Sequence, residues 1–298
     1  MSSSRTEEMI AALEASGDYK VLRRLSVGNP LAEAPRGTRR AVVADVETTG
    51  LDCETNEIIE LAMVPFFYTF AGEIVGVGIP FNGVRQPSIP IPPEVTRLTG
   101  IDDAMVAGKS IDPSEVAAFA GPGLVIAHNA PFDRRFLEKF CPALAENPWA
   151  CSLNEVSWSD EGFESAKLAF LAMASGFFYD KHRAVHDCNA TIELLGRPLP
   201  ISGDSALTKL LQSARGKTYR CWALNSPFET KDELKQRGYR WNGREDGTPR
   251  SWWIDVPGDA LTSELTYLRG EIYKRHIELP IAEITAFNRH SGRIRPAT

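Results

Sequence analysis

Apolar and polar residues follow one another in runs that predict the strands of a central sheet. Continuous apolar stretches over residues 41–46 and 57–68 are typical of strands buried on both faces. Residues 74–81 predict a third strand, which Gly76 and Gly78 weaken. Three strands in succession, with no helical pattern between them, favour an antiparallel meander.

A helical spacing of apolar residues takes over after the meander. It predicts a short helix that starts at the Pro92-Pro93 pair, and further helices over residues 114–120, 132–140, 167–175 and 184–195. One more apolar strand, residues 124–127, separates the first two of these helices from the rest. Strands interspersed with helices in this way predict an α/β fold with a mixed sheet flanked by helices.

Clusters of glycine and proline divide the chain into four predicted parts. Residues 1–38 form an N-terminal segment with one or two short helices within residues 7–25, followed by a linker, and residues 39–197 form the α/β domain. Residues 198–215 form a linker with a short helix. Residues 216–298 form a small C-terminal α+β domain, with strands over 218–224, 239–241 and 251–256 and helices over 230–238 and 260–276.

Composition places the protein among ordinary globular chains. Of its 298 residues 43% are hydrophobic and 24% are charged, and no apolar run approaches the roughly 18 residues that span a bilayer. The five cysteines are odd in number and form no Cys-x-x-Cys pair, which argues against a disulfide framework or a zinc ribbon. We therefore expect a cytoplasmic protein with reduced thiols and no membrane partner.

The net charge of −6 is unevenly distributed along the chain. Residues from 215 onward hold 15 basic and 11 acidic side chains, a balance of +4, so the remainder carries −10. An acidic body suits a metal-dependent site, because bound cations reverse the local field, and a basic C-terminal part could hold a polyanion.

Two carboxylates end the first apolar strand. Asp45 and Glu47 are two residues apart, so the alternation of a strand places both on one face of the sheet. Such close carboxylates raise each other's pKa unless a cation lies between them, and oxygen ligands alone favour Mg²⁺ or Mn²⁺ over zinc. An exposed Asp-x-Glu at a strand end is the alternative.

A third carboxylate, Asp133, follows the strand that ends at His128 and Asn129. Pro131 suits a first helical turn, so Asp133 lies near a helix N-terminus, where it could simply favour the helix dipole. Taken alone, Phe132 is better explained as a core residue than as a platform for a base, and His128 as a packed structural histidine.

The last group contains His182 and Asp187. On one continuous helix these side chains would point about 140° apart. We therefore expect the helix to begin near Ala184, with His182 on the preceding loop and Asp187 facing inward. A histidine there could act as a general base at neutral pH. His186 is the competing candidate, and a surface position is the alternative for either histidine.

These segments, taken in order, resemble the three motifs of the DEDDh (DnaQ-like) 3′–5′ exonucleases, a family that includes the proofreading epsilon subunit of bacterial DNA polymerase III and RNase T. The resemblance covers residues 39–197 and rests on the motifs Asp45-x-Glu47-Thr48-Thr49-Gly50, His128-Asn129-Ala130-x-Phe132-Asp133 and His182-x-Ala184-x-x-Asp187, with Leu98-Thr99-Gly100-Ile101 between the first two.

The resemblance implies a ribonuclease H-like fold and two divalent cations, Mg²⁺ or Mn²⁺. It assigns the metal ligands as Asp45, Glu47, Asp133 and Asp187, and it favours His182 over His186 as the base. It also implies contacts to the terminal nucleotide, for which we predict Thr48, Thr49, Gly50, Leu51, His128, Asn129 and Phe132.

The function expected from this resemblance is metal-dependent 3′–5′ exonuclease activity on single-stranded or frayed DNA ends, by a two-metal mechanism that releases nucleoside 5′-monophosphates. Trimming of RNA 3′ ends is an alternative, and so is a non-catalytic or proofreading module bound to a polymerase. No convincing clamp-binding peptide follows Arg197, so polymerase association has no support from the sequence.

The C-terminal domain is rich in aromatic and basic residues. Such a mixture suits single-stranded nucleic acid, through base stacking and phosphate contacts. A small domain also needs large aromatic residues for its own core, which is the alternative explanation. The residues concerned are Trp222, Trp241, Trp252 and Trp253, interleaved with Arg220, Arg240, Arg244 and Arg250.

Overall fold

The computed structural model describes residues 3–243 and 247–296. In chain order its α-helices are α1 (Ser3–Ala15), α2 (Pro93–Thr99), α3 (Asp103–Val106), α4 (Pro113–Ala120), α5 (Ala130–Phe140), α6 (Leu168–Ala174), α7 (Ala184–Gly196), α8 (Ala206–Arg215), α9 (Lys231–Gln236) and α10 (Leu261–Tyr267). Its strands are β1 (Arg23–Arg24), β2 (Arg39–Thr48), β3 (Ile58–Tyr68), β4 (Ile74–Val77), β5 (Phe81–Val84), β6 (Leu124–Ala127), β7 (Trp149–Cys151), β8 (Phe177–Phe178), β9 (Thr218–Ala223), β10 (Arg240–Trp241), β11 (Trp252–Pro257) and β12 (Ile281–Ile284).

The central sheet has six strands and is mixed, as predicted. Its order is β4-β3-β2-β6-β7, and β5 pairs with the other half of β3. Strands β2 and β3 are antiparallel, whereas β6 runs parallel to both β2 and β7. Every residue of β3 is buried, which explains its continuous apolar run.

Helices cover both faces of this sheet. Ala41 and Val43 of β2 belong to a core that includes residues of α6, α7 and α8. Val42 and Ala44, which alternate with them, belong to a second core with residues of α4 and α5. The strand alternation in β2 therefore separates the two helical layers.

One predicted strand is wrong. The strand expected over residues 74–81 is divided into β4 and β5 at residues 78–80, where Pro80 has no N–H to donate to the ladder. Of the one or two helices expected within residues 7–25, the described residues contain one, α1, which ends before Gly17, whose φ is 78°. Strand β1 follows it and pairs in parallel with β8.

The C-terminal part contains a four-stranded antiparallel sheet of order β10-β11-β9-β12. The sequence analysis missed β12, and the helix expected over residues 260–276 is shorter, because α10 passes into a π-helical turn at Leu268–Ile272. The division of the chain at residues 38, 197 and 215 stays a prediction.

The tryptophans of this sheet differ in how far they are buried. Trp222 is buried, whereas Trp241 is 55% exposed. Trp253 is half-buried, with the guanidinium of Arg220 at 3.9 Å from its ring centroid. Arg244 lies outside the described residues. Binding of single-stranded nucleic acid by this sheet stays a prediction.

All five cysteines are free and buried. Among the described residues no helix has both the length and the apolar character needed to cross a membrane.

A buried arginine connects helix α5 to residues 286–290, which follow β12 and which we call the C-terminal segment. The side chain of Arg134 on α5 is fully buried. Its guanidinium donates to Glu138 at 2.6 Å and to the backbone carbonyls of Ala286, Phe287 and Arg289 at 3.2, 2.6 and 2.6 Å. A buried cation with four acceptors is costly to remove, because its partners are left without donors.

Replacing Arg134 by methionine should therefore lower the free energy of unfolding by roughly 3 kcal/mol. Urea-induced unfolding measures this, and Arg135→Met is the control, because Arg135 is the exposed neighbour on the same helix. Equal stabilities for the two variants would show that the hydrogen bonds of Arg134 contribute little to the free energy of unfolding.

Candidate metal centre

The site is built on the last residues of β2. Asp45 lies directly opposite Ala62 of β3, and Glu47 lies opposite Glu60. Residues paired in this way share a face of the sheet, so Asp45 and Glu47 point to the side that α7 covers. The predicted placement of both carboxylates on one face is confirmed.

Asp187 joins them from the first turn of α7. One carboxylate oxygen from each of Asp45, Glu47 and Asp187 lies within 4.8 Å of the others. The helix starts at Ala184, as expected, and this start directs Asp187 toward the end of β2. The structure therefore brings Asp187 to two carboxylates that precede it in the sequence by 142 and 140 positions.

Asp133 reaches the same strand from the opposite layer. It lies in the first turn of α5, is 3% exposed, and accepts a hydrogen bond from the backbone N–H of Val46 at 3.2 Å. None of its oxygens belongs to the group of three within 4.8 Å. The negative charge of Asp133 still acts on two of these three carboxyls, because it raises the pKa of both Asp45 and Glu47.

Burial and mutual repulsion make these carboxyls weak acids. Burial, followed by the charges of Asp133 and Asp187, raises the pKa of Asp45 well above its usual range. Burial and the charge of Asp187 raise the pKa of Glu47 to about 8. Burial raises the pKa of Asp133 to about 7, although its backbone hydrogen bonds oppose the shift. A set of oxygen donors that repel one another fits a divalent cation such as Mg²⁺ or Mn²⁺.

The two histidines take the positions expected of them. His182 lies on the loop before α7 with a φ of 66°, and its backbone N–H donates to Asp187 Oδ2 at 2.9 Å. His186 is exposed, and its Nδ1 lies 2.9 Å from the carbonyl oxygen of Asp180. His182 is therefore the histidine held beside the carboxylates.

The turn after β2 presents an apolar side chain beside the site. The hydroxyl of Thr48 donates to the carbonyl of Gly50 at 2.6 Å, and that of Thr49 to Asn56 Oδ1 at 3.2 Å, so both hydroxyls stabilise the turn. A Cβ at Gly50 would lie 2.5 Å from Asn56 Oδ1, which explains the glycine. Leu51 is 87% exposed. Substrate contacts by this turn stay a prediction.

The residues before Asp133 are mostly engaged within the protein. His128 Nε2 lies 2.8 Å from the Ala166 carbonyl, so it carries the proton, and Nδ1 accepts from Ser152 Oγ at 2.8 Å. Burial lowers the pKa of His128 to about 4, so the ring is neutral. Phe132 packs on Phe136, with ring centroids 4.9 Å apart. These contacts agree with the structural alternatives considered for both residues.

Asn129, by contrast, is exposed at the start of α5 with a φ of 120°. An asparagine rarely adopts this conformation, and residues held in such conformations are found at functional sites more often than elsewhere.

The sequence analysis missed three residues that hold the site together. Tyr179 donates its hydroxyl proton to Asp187 Oδ1 at 2.8 Å. Glu60 is fully buried and forms an ion pair with Arg183, at 2.9 Å between Oε1 and Nη2. A single carboxylate inside the apolar run of β3 was the available signal, because a charged residue is rarely buried without a partner.

Comparison with known proteins shows which family these motifs belong to. The family model described as exonuclease (RNase T) matches residues 42–195. The PolC-type DNA polymerase III of Halalkalibacterium halodurans is 35% identical over 164 residues, which make up 52% of this chain and 11% of that protein. The epsilon subunit of DNA polymerase III from Aquifex aeolicus is 30% identical over 161 residues, 51% of this chain and 77% of that protein.

A solved structure shares the fold. The Escherichia coli exonuclease I–single-stranded DNA complex in its zinc-bound form superimposes with a TM-score of 0.51 at 15% identity, over 73% of this chain and 62% of that one. The chain spans only about a tenth of the PolC-type relatives. Since the matched region of residues 42–195 is just over half of the 298 residues, and its sheet is ribonuclease H-like, the chain belongs to the exonuclease family.

Proposed function

We propose that this protein is a metal-dependent 3′–5′ exonuclease that releases nucleoside 5′-monophosphates from single-stranded or frayed DNA 3′ ends. The observation that carries the proposal is the group of three carboxylates, Asp45, Glu47 and Asp187, with oxygens within 4.8 Å of one another. Half-buried carboxylates crowded in this way repel one another without a cation, and phosphodiester hydrolysis is a reaction that a pair of cations catalyses.

Two divalent cations, Mg²⁺ or Mn²⁺, would be held by Asp45, Glu47 and Asp187, with Asp133 as the fourth carboxylate. When bound, such cations supply an acidified water and stabilise the charge that develops on the departing 3′ oxygen. The carboxylates of this chain provide the negative charge that draws the cations in, and the backbone N–H of Val46 orients Asp133.

His182 acts as the general base in this proposal. It takes a proton from the attacking water, the oxygen of that water attacks the last phosphorus in line, and the bond from phosphorus to the 3′ oxygen breaks. The 3′ oxygen leaves with a proton from solvent, and the product is a nucleoside 5′-monophosphate. The loop position of His182, just before the start of α7, leaves its imidazole free to reach the water.

The end of the substrate would lie against the turn of residues 48–51. The exposed side chain of Leu51 offers apolar support for an unstacked base, and Asn129 is exposed on the other side of β2's end. DNA is favoured over RNA because the relatives with 30–35% identity are components of DNA polymerase III. Trimming of RNA 3′ ends remains the second candidate, since the same hydrolysis would cleave a phosphodiester bond of RNA.

Cleavage of end-labelled DNA tests both the polarity of the reaction and the roles of the two histidines. On a 5′-labelled single-stranded DNA with Mg²⁺, the full chain should produce a ladder that shortens from the 3′ end. His182→Ala should lower kcat by about 10²–10⁴-fold, because a general base is lost. Asp45→Asn should lower it by at least roughly 10³-fold, because a metal ligand is lost.

His186→Ala is the matched control and should cut at the wild-type rate, because His186 faces Asp180 rather than the carboxylates. Full activity of His182→Ala, or a loss confined to His186→Ala, would overturn the assignment of the base. The same series on a 5′-labelled RNA of equal sequence decides between the two polymers.

A further prediction follows from the raised pKa values. A carboxyl whose pKa is higher in the folded than in the unfolded protein stabilises the fold below its unfolded pKa, and this contribution is lost as the pH rises through the folded pKa. For Glu47 and Asp133 the loss therefore falls between pH 4 and about 8. In EDTA the melting temperature should fall by several degrees between pH 5.5 and 8.

Mn²⁺ should reverse this loss, and should raise the melting temperature more at pH 8 than at pH 5.5, because protons no longer compete for the carboxylates. Glu47→Gln removes one of the titrating groups and should show a smaller fall in EDTA. A melting temperature that is independent of Mn²⁺ at pH 8 would contradict the metal site.

A further inference from the structure

Glu60 is a carboxylate in a place where carboxylates are rarely found. It lies on β3, every residue of which is buried, and its side chain has no exposed surface. It is directly opposite Glu47 on the face that carries the metal centre. A buried charge in this position needs partners, because desolvation of an unpaired carboxylate costs several kcal/mol.

Among the described residues, the hydrogen-bond partners of its carboxylate come from one short segment. Arg183 donates to Glu60 through Nη2 at 2.9 Å and through Nε at 3.2 and 3.3 Å to the two oxygens. The backbone N–H of Ala184 donates to Oε2 at 3.1 Å. Glu60 is therefore bound by a guanidinium and by the N-terminus of α7 at the same time.

The same segment is bound on its other side by Asp187. Its Oδ2 accepts from the backbone N–H groups of His182 and Arg183, at 2.9 and 3.3 Å. Arg183 is the N-cap residue of α7, yet its own side chain does not cap the helix. The carboxylate of Glu60, on β3, caps the helix instead, because it accepts a hydrogen bond from the first backbone N–H of α7.

His182 is held in a costly conformation at the start of this segment. Its φ of 66° is in the left-handed region, which is unfavourable for a residue other than glycine and persists only where the surroundings impose it. Arg183 and Ala184 directly follow His182, and their contacts with Glu60 hold them in place. These contacts therefore limit the positions that the imidazole of His182 can take.

Arg183 also keeps Glu60 out of the metal centre. Glu60 is close enough to raise the pKa of Asp45 and Glu47 through its charge, whereas Arg183 lowers that of Glu47. A free carboxylate opposite Glu47 would compete to bind a cation. The oxygens of Glu60 instead accept three hydrogen bonds from the guanidinium of Arg183.

We propose that Glu60 and Arg183 are positioning residues for the proposed nuclease reaction, and that their ion pair fixes the backbone of residues 182–184 so that His182 meets the attacking water. The inference rests on the proposed function of the site. It gives a role to the arginine between His182 and Ala184 and to the carboxylate within β3.

The test uses Arg183→Ala, Arg183→Lys and Glu60→Gln in the full chain, with Arg197→Ala as the matched control. Arg197, at the other end of α7, is 38% exposed against 40% for Arg183, and it forms an ion pair of similar length with Glu193, at 2.8 Å. The readouts are kcat and KM on single-stranded DNA with Mg²⁺, and amide hydrogen exchange of residues 182–184 without metal.

Arg183→Ala and Glu60→Gln should lower kcat by about 10–100-fold with KM changed by less than about threefold, because the base is misplaced while the substrate still binds. Exchange at residues 182–184 should become faster. Arg183→Lys should recover part of the loss in kcat, since it keeps the charge, and Arg197→Ala should match the wild type in both readouts.

Wild-type kcat and unchanged exchange in Arg183→Ala would overturn the inference. Because Arg183 is 40% exposed, this variant should fold even if Glu60→Gln does not. A wild-type protein that degrades no DNA or RNA would instead contradict the proposed nuclease function, and the exchange rates would still decide whether the ion pair fixes the loop.

Discussion

The repulsion among crowded carboxylates, which are half-buried or buried at the end of β2, is the constraint on which the arrangement of this site depends. Asp45, Glu47 and Asp187 have oxygens within 4.8 Å of one another, and Asp133 adds its charge from the other side of the sheet. Water cannot screen these charges effectively, so the fold compensates with fixed donors. The backbone N–H of Val46 serves Asp133, and the start of α7 serves Asp187. Both helices that supply a carboxylate begin at the site, where their N-termini favour negative charge.

Local sequence patterns were sufficient for the parts of the site that depend on one element at a time. Strand alternation placed Asp45 and Glu47 on one face, and the helical period placed the start of α7 at Ala184. Contacts between segments that lie far apart in the sequence leave no such local pattern in it. The pairing of Glu60 with Arg183 joins residues 123 positions apart, and only the register of β3 against β2 brings it to the site. The divided third strand did have a local signal, because Pro80 has no N–H to donate and lies between β4 and β5.

The C-terminal segment is tied to the first sheet by buried polar contacts. Arg134 donates to three of its carbonyls, and the backbone N–H of Trp149 on β7 donates to Ala286 at 2.8 Å. Glu155 receives Arg289 at 2.6 Å and His290 at 2.7 Å, and these contacts lower its pKa although burial raises it. The segment thus covers the edge strand of the sheet that carries the metal centre, which protects that edge from pairing with another chain.

The central claim is that the carboxylates at the end of β2 bind a pair of divalent cations. Anomalous scattering from crystals grown with Mn²⁺ tests it most directly, because it locates the ions without reference to activity. The account predicts two peaks about 3.5–4 Å apart, in contact with oxygens of Asp45, Glu47 and Asp187. A structure at millimolar Mn²⁺ with no peak there, or with Mn²⁺ bound only elsewhere on the protein, would contradict it.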